Sequence, residues 1–333
     1  SLVLFVDAYG IELRKLRAES AVPERLLGVG LPLTIVVGAG AALLLFGGIG
    51  IVAAVLVSAI LAPTDASLGQ AVVTDRRIPG RVRRTLNVES GLNDGLVVPV
   101  FLAALGALEV EAGEESGGHF ARLLVEQIGF GALAGIAAGT ACVWLLSESR
   151  RRGWIDETWG MILTLATPAL AYALALEVEG SGFIAAYVAG LAFGHGVGDR
   201  EAGPIELSEQ LGQLLGAVTW LAFGAVLLSE VLDELSVSIL AYAVLSLTIV
   251  RMGPVFLSLA GSGIDVRTRA FMGWFGPRGL ASLVFALLAF EESIPHGDRV
   301  LAIAGWTVAL SVVAHGVTAR WLTGLYARRL GRE

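Results

Sequence analysis

Apolar residues run along this chain in stretches of spanning length, separated by short charged or glycine-rich breaks. The pattern predicts the tail of a helix over 1–8 and then about ten complete crossings. These are 26–46, 50–75, 85–108, 122–146, 157–176, 181–196, 208–232, 237–260, 270–290 and 299–325. An all-α polytopic membrane protein follows, a single integral-membrane domain over 1–333.

Lysine and arginine test this parse, because cytoplasmic loops collect them. Arg14, Lys15, Arg17, Arg25, Arg76, Arg77, Arg81, Arg83, Arg84, Arg150, Arg151, Arg152, Arg200, Arg267, Arg269, Arg320, Arg328, Arg329 and Arg332 all fall on one side. The other side holds Arg122 and Arg299 beside acidic stretches such as Glu109, Glu111, Glu114 and Glu115, or Glu230, Asp233 and Glu234. The first full crossing is therefore expected to start in the cytoplasm and the C-terminus to end there, in a multi-pass protein of the cell (inner) membrane.

Composition sharpens the class. Of 333 residues, 55% are hydrophobic and only 16% charged, and the mean hydropathy is +0.75, too apolar for a soluble enzyme. A net charge of −7 argues against a nucleic-acid partner, which would call for a clustered basic face. The lone cysteine, Cys142, lies in an apolar run and makes no intrachain disulfide or metal cluster. The chain opens on Ser1 inside an apolar stretch, with no basic region to suggest a signal peptide, so further helices are expected before it.

Charged side chains inside apolar crossings are the exceptions that carry chemistry, since each costs at least about 2.5–3.5 kcal/mol to insert. Here they are Asp65, Glu89, Asp94, Arg251 and Arg278. At about 1.5 Å per helical residue, Asp65, Asp94, Arg251 and Arg278 lie roughly 12–15 Å deep, near one layer, with Glu89 about a turn shallower. The backbone is broken at that layer too. Proline interrupts Leu61-Ala62-Pro63-Thr64-Asp65 and Gly276-Pro277-Arg278-Gly279, and such interruptions offer carbonyls and half-helix ends to an ion. The two crossings, the second and the ninth, are seven apart and so run in opposite directions, as an inverted-topology repeat requires.

The run Asn87-Val88-Glu89-Ser90-Gly91-Leu92-Asn93-Asp94-Gly95 has readable helical geometry. Residues four apart share a face, so Ser90 and Asp94 form one polar face while Glu89 and Asn93 form its neighbour. Ser90 and Asp94 are expected to address an ion with Asp65, and Glu89 with Asn93 to hold a structural partner, Arg251, because a buried pair satisfies both charges. Oxygen ligands of this kind suit hard cations. Two adjacent carboxylates cannot both stay ionised without compensation, so the same place takes a proton, and competition between cation and proton couples their movements.

At these residues the chain resembles the cation:proton antiporter-1 family, the NhaP/NHE-type sodium/proton exchangers. The resemblance rests on Ala62-Pro63-Thr64-Asp65, Glu89-Ser90-Gly91-Leu92-Asn93-Asp94-Gly95, Gly180-Ser181-Gly182-Phe183-Ile184-Ala185 and Gly273-Trp274-Phe275-Gly276-Pro277-Arg278-Gly279. It implies the NhaA/NhaP-like antiporter fold and a homodimer exchanging cytoplasmic sodium for external protons by alternating access. The core ion-site helices are then about 50–108 and 237–290, with the remaining helices as scaffold and dimer contact. It implies that Asp94 is the ion and proton carrier, that Asp65, Ser90 and Thr64 join it around sodium, and that Asn93 belongs to the ion-binding set while engaging Arg251 with Glu89. Arg278 takes a structural or pH-related role on the second broken helix. No cofactor and no enzymatic step are implied. Where the family often carries leucine after Glu-Ser, this chain has Gly91.

Other readings fit parts of the same sequence. Exchange of potassium, or lithium, for protons fits the same motifs, and a cation channel is a further alternative. Gly196-Val197-Gly198-Asp199 matches the G-x-G-D string of intramembrane aspartyl proteases, but it falls at the end of a crossing and the partner Tyr-Asp motif is absent. Gly131 and Gly135 read as helix packing, and His195 and His315 as packed or interfacial histidines, with a role in pH response as the sharper alternative.

Overall fold

A computed structural model of the protein describes residues 1–10, 21–65, 68, 72, 74–111, 117–197, 205–292 and 294–330. Arg14, Lys15, Arg17, Arg200, Arg332, Glu114, Glu115 and Gly198-Asp199 of the G-x-G-D string lie outside the described residues. Among the described residues the secondary structure is helical, with no strand. The elements are α1 (Leu2–Tyr9), α2 (Ala21–Leu45), α3 (Ile51–Leu61), α4 (Gly80–Glu111), α5 (Gly117–Arg151), α6 (Glu157–Glu177), α7 (Gly182–Val197), α8 (Glu206–Glu230), α9 (Val237–Ser258), α10 (Val266–Trp274), α11 (Leu280–Glu291) and α12 (Gly297–Leu330).

Seven of these, α2, α4, α5, α6, α8, α9 and α12, are long and apolar enough to cross a membrane, and α3, α7 and α11 are shorter apolar helices. Their outward side chains are greasy rather than charged: Val36, Leu44, Val237, Val317 and Trp321 are all exposed. That is the distribution a lipid surround favours. Each expected crossing has a helix, but two are interrupted. In the 50–75 crossing the first helix ends at Leu61, ahead of Pro63, which has no N–H to continue the ladder. The 270–290 crossing is split into α10 and α11 around Phe275 to Gly279, where Pro277 does the same.

The chain divides into two compact units, Ser1–Ala18 with Ser116–Thr219, and Glu19–Glu115 with Trp220–Glu333. In the first, Gly131, Gly135 and Gly139 recur every four residues along one face of α5. A Cβ on Gly131 would stand 2.7 Å from the Ser181 carbonyl oxygen, and one on Gly139 2.7 Å from that of Ala189. Glycine is what lets α5 seat directly on the α7 backbone, the packing role expected of it. Phe5 and Tyr9 of α1 close against Phe193 of α7, with ring centroids 5.8 and 6.1 Å apart.

The second unit holds every charged residue singled out inside the crossings. Its α10 starts on Asp265, whose Oδ1 accepts the N–H groups of Arg267 and Thr268 at 2.9 and 3.0 Å. The Thr268 hydroxyl donates to Oδ2 at 2.5 Å and pairs with the Tyr326 hydroxyl at 2.7 Å, tying the start of α10 to the end of α12. These bonds, led by the one from the Thr268 side chain, hold the Asp265 carboxyl below the usual carboxylate range. A folded-state value below the unfolded one means the stabilisation is fully present above about pH 4 and is lost as pH falls through the folded value. Asp265→Ala is therefore expected to cost about 1 kcal/mol at neutral pH, the worth of an N-cap. Thermal melts of the two proteins should converge as the solution is acidified.

Candidate ion-binding site

Pro63 ends α3 and leaves the following backbone without helical partners, and α4 supplies replacements. The Thr64 N–H donates to Asn93 Oδ1 at 3.3 Å, and Asn93 Nδ2 donates to Thr64 Oγ1 at 2.7 Å. Ser90 Oγ donates to the Thr64 carbonyl and lies 3.4 Å from its hydroxyl. All three residues are buried, with Asn93 at 1% exposure. Asp65 follows Thr64 directly, and Asp94 follows Asn93, one helical turn beyond Ser90 and buried as well. Thr64, Asp65, Ser90, Asn93 and Asp94 thus gather where α4 passes the first break.

The second break lies against the first. The Asp65 N–H donates to the Pro277 carbonyl at 2.8 Å, and the Leu280 N–H donates to Asp65 Oδ2 at 3.1 Å. The Asp65 carboxylate therefore sits at the N-terminal end of α11, where the helix dipole favours an anion. Arg278 completes the reciprocal arrangement. Its Nη1 donates to the carbonyls of Ala62 and Pro63 at 2.9 and 3.5 Å, at the C-terminal end of α3, and its Nη2 to that of Ser246 at 3.2 Å. A cation there is favoured by the same dipole argument with the sign reversed. The Arg278 N–H is held by Ser311 Oγ at 2.8 Å.

Glu89 and Arg251 form the buried pair expected of them. Arg251 Nη1 and Nη2 donate to Glu89 Oε1 and Oε2 at 2.6 and 2.9 Å, a two-pronged contact with both side chains almost fully enclosed. Asn93 departs from expectation. Its amide is turned to Thr64 rather than to Arg251, because the freed Thr64 groups come within reach of it and match its donor and acceptor. Ser246, Ser311 and the Leu280 N–H were not picked out from the sequence. A serine in an apolar crossing looks like one that bonds its own helix, and a backbone N–H has no sequence signature.

Glycine brackets the second break for steric reasons. A Cβ on Gly276 would stand 2.8 Å from Arg251 Cζ, and one on Gly279 would overlap the Asp65 side chain. Gly279→Ala is expected to push Asp65 off the α11 N-terminus. The expected cost is the roughly 1–3 kcal/mol of overpacking, which a thermal melt in detergent checks.

A family model described as sodium/hydrogen exchanger, transmembrane, matches residues 1–324. The chain belongs to the sodium/hydrogen exchanger family. A relative from Alkalimonas amylolytica, a K(+)/H(+) antiporter NhaP, is 29% identical over 80% of this chain and 46% of its own length. The chain thus spans about half the length of that relative. A Na(+)/H(+) antiporter of Schizosaccharomyces pombe is 25% identical over 88% of this chain and 70% of its own. Among solved structures, the sodium proton antiporter MjNhaP1 from Methanocaldococcus jannaschii at pH 8 superposes with a TM-score of 0.77 at 19% identity, covering 99% of this chain and 83% of that one. The fold of this family member is accordingly the NhaP antiporter fold.

Proposed function

We propose that the chain carries the translocation site of a monovalent cation/proton antiporter, exchanging cytoplasmic sodium for external protons by alternating access. The observation that carries the reading is the junction of the two breaks. There Thr64 is fixed by Ser90 and Asn93, and Asp65 is fixed by Pro277 and Leu280, with Asp94 beside Asn93 on α4. Asp94, Asp65, the Ser90 hydroxyl and the Thr64 oxygens form a hard-oxygen set suited to an alkali cation. When the cation leaves, Asp94 takes up a proton in its place, one positive charge replacing another. Cation and proton then occupy the site by turns, which is sufficient for exchange.

Glu89, Arg251 and Arg278 are the frame of this mechanism. They hold α4, α9 and the breaks, and carry no ion. The second unit is the ion-carrying core, and the first serves as scaffold and dimer contact in a homodimer. The protein lies in the inner membrane with its C-terminus in the cytoplasm, on the side that collects arginine. Potassium is the second reading for the cation, favoured by the name of the Alkalimonas relative.

Proteoliposomes containing a pH dye test the proposal. Proton flux is expected on addition of sodium and lithium and not of choline, with potassium as the arm that decides the second reading. Current without proton movement would make the protein a channel, and silence with every cation would overturn the transport reading.

A further inference from the structure

His315 is buried in α12 and stands apart from the residues that hold Thr64. Its ring nitrogens face two different partners. Nε2 lies 2.8 Å from the carbonyl oxygen of Trp274, the last residue of α10. Nδ1 lies 2.8 Å from the Ser311 carbonyl oxygen, one turn earlier in α12, and 3.2 Å from the Ser311 hydroxyl. That hydroxyl is the group that accepts the Arg278 N–H. The Trp274 indole stacks on the imidazole at 5.1 Å between centroids and donates its own N–H to Thr318. One histidine thus touches the break where α10 stops and, through Ser311, where Arg278 sits.

A proton count shows what the ring can do. Carbonyl oxygens only accept, so a neutral imidazole donates to just one of the two carbonyls. With Nε2–H on Trp274, the bare Nδ1 accepts the hydrogen of the Ser311 hydroxyl. A second proton, on Nδ1, reverses that bond: the ring now donates to the Ser311 carbonyl, and the hydroxyl hydrogen is released. The rearrangement falls on the side chain that holds Arg278.

The surroundings set the electrostatics. The end of α10 favours a cation at the ring. Burial of the ring opposes it first, and Arg278 in the break and Arg251 on α9 oppose it further, the latter neutralised by Glu89 of α4. Helix α3 has no titratable side chain, α11 carries only Glu291 at its far end, and α10 carries Arg267 and Arg269 toward its start. On α12 the nearest charge in sequence is Arg320.

We infer that His315 is a positioning residue, a clamp across the break between α10 and α11 whose protonation changes how Ser311 holds Arg278, and with it the Ala62 and Pro63 carbonyls beside Thr64. Its bearing on exchange rests on the antiporter reading. An added positive charge there weakens cation binding, so protonation of His315 shuts exchange down on the acid side.

The stacked indole supplies a readout independent of transport, because a protonated imidazole quenches it. In the chain in detergent, tryptophan emission is expected to fall in one step as the solution is acidified from about pH 8 and the imidazole takes up its proton. The step is expected to be lost in Trp274→Phe and in His315→Gln, which keeps a donor for the Trp274 carbonyl. Ser311→Ala keeps the ring and is expected to move the midpoint. In proteoliposomes, with each protein scaled to its own maximum, His315→Gln is expected to extend exchange to lower pH. A missing step, a step that survives in His315→Gln, or an unchanged exchange profile would each overturn the inference. If the unaltered protein moves no protons with any cation, the antiporter reading fails, and the emission step alone decides the clamp.

Discussion

Asp94→Asn is expected to bring cation-driven proton flux down to the level of empty liposomes while the protein stays folded and inserted. Asparagine keeps the size of the side chain and its place on α4, but it has neither the charge that attracts an alkali cation nor a proton to give up. Removing a buried carboxylate also removes a desolvation cost, so stability is expected to hold or to rise slightly. The pair of measurements matters more than either alone. Lost flux with an unchanged thermal midpoint and a single size-exclusion peak assigns the loss to the ion, whereas exchange that survives removes Asp94 from the mechanism.

Breaking the pair of Glu89 and Arg251 is expected to act through the fold instead. Glu89→Ala leaves the Arg251 guanidinium enclosed without its two-pronged partner, and Arg251→Ala strands the Glu89 carboxylate. Losing one member of such a pair costs about 3–5 kcal/mol, enough to empty the membrane fraction of folded protein. Arg251 also lies against Gly276, so its loss loosens the second break as well. Glu89→Gln combined with Arg251→Met leaves no uncompensated charge and is expected to recover much of the loss. A double-mutant cycle on thermal stability in detergent measures that coupling. Additive single effects would show that the pair does not act as a unit.

How much of this was legible in the sequence depended on the kind of atom involved. Apolar runs and arginine placement marked the helices, and proline marked both interruptions, because Pro63 and Pro277 act locally on their own turns. The pairing of Glu89 with Arg251 was legible because two lone charges of opposite sign in lipid have few ways to be satisfied. The partner of Asn93 was misread. Helical spacing placed it with Glu89, yet hydrogen-bond matching with the freed Thr64 backbone decided where its amide turned. Arg278 was recognised as exceptional, but its partners were not, since Ala62, Pro63 and Ser246 receive it through their carbonyls. Side-chain identity carries no trace of such contacts. Ser311 and His315 show the same limit, four residues apart in an apolar helix where packing was the plainer reading.

The reciprocal bonds between the two breaks also bear on how the protein is made. Asp65 receives its Leu280 partner from 215 positions later in the chain. At about 5–20 residues per second of synthesis, roughly 10–40 s pass before that partner leaves the ribosome. Through that interval the polar end of α3 is inside or beside the bilayer with its later ligands unmade, and each unpaired backbone group there is costly. The first broken helix is therefore completed late, after the second has been synthesised, and a chain that stops short of α11 exposes to membrane proteases the segment that the finished protein seals against the second break.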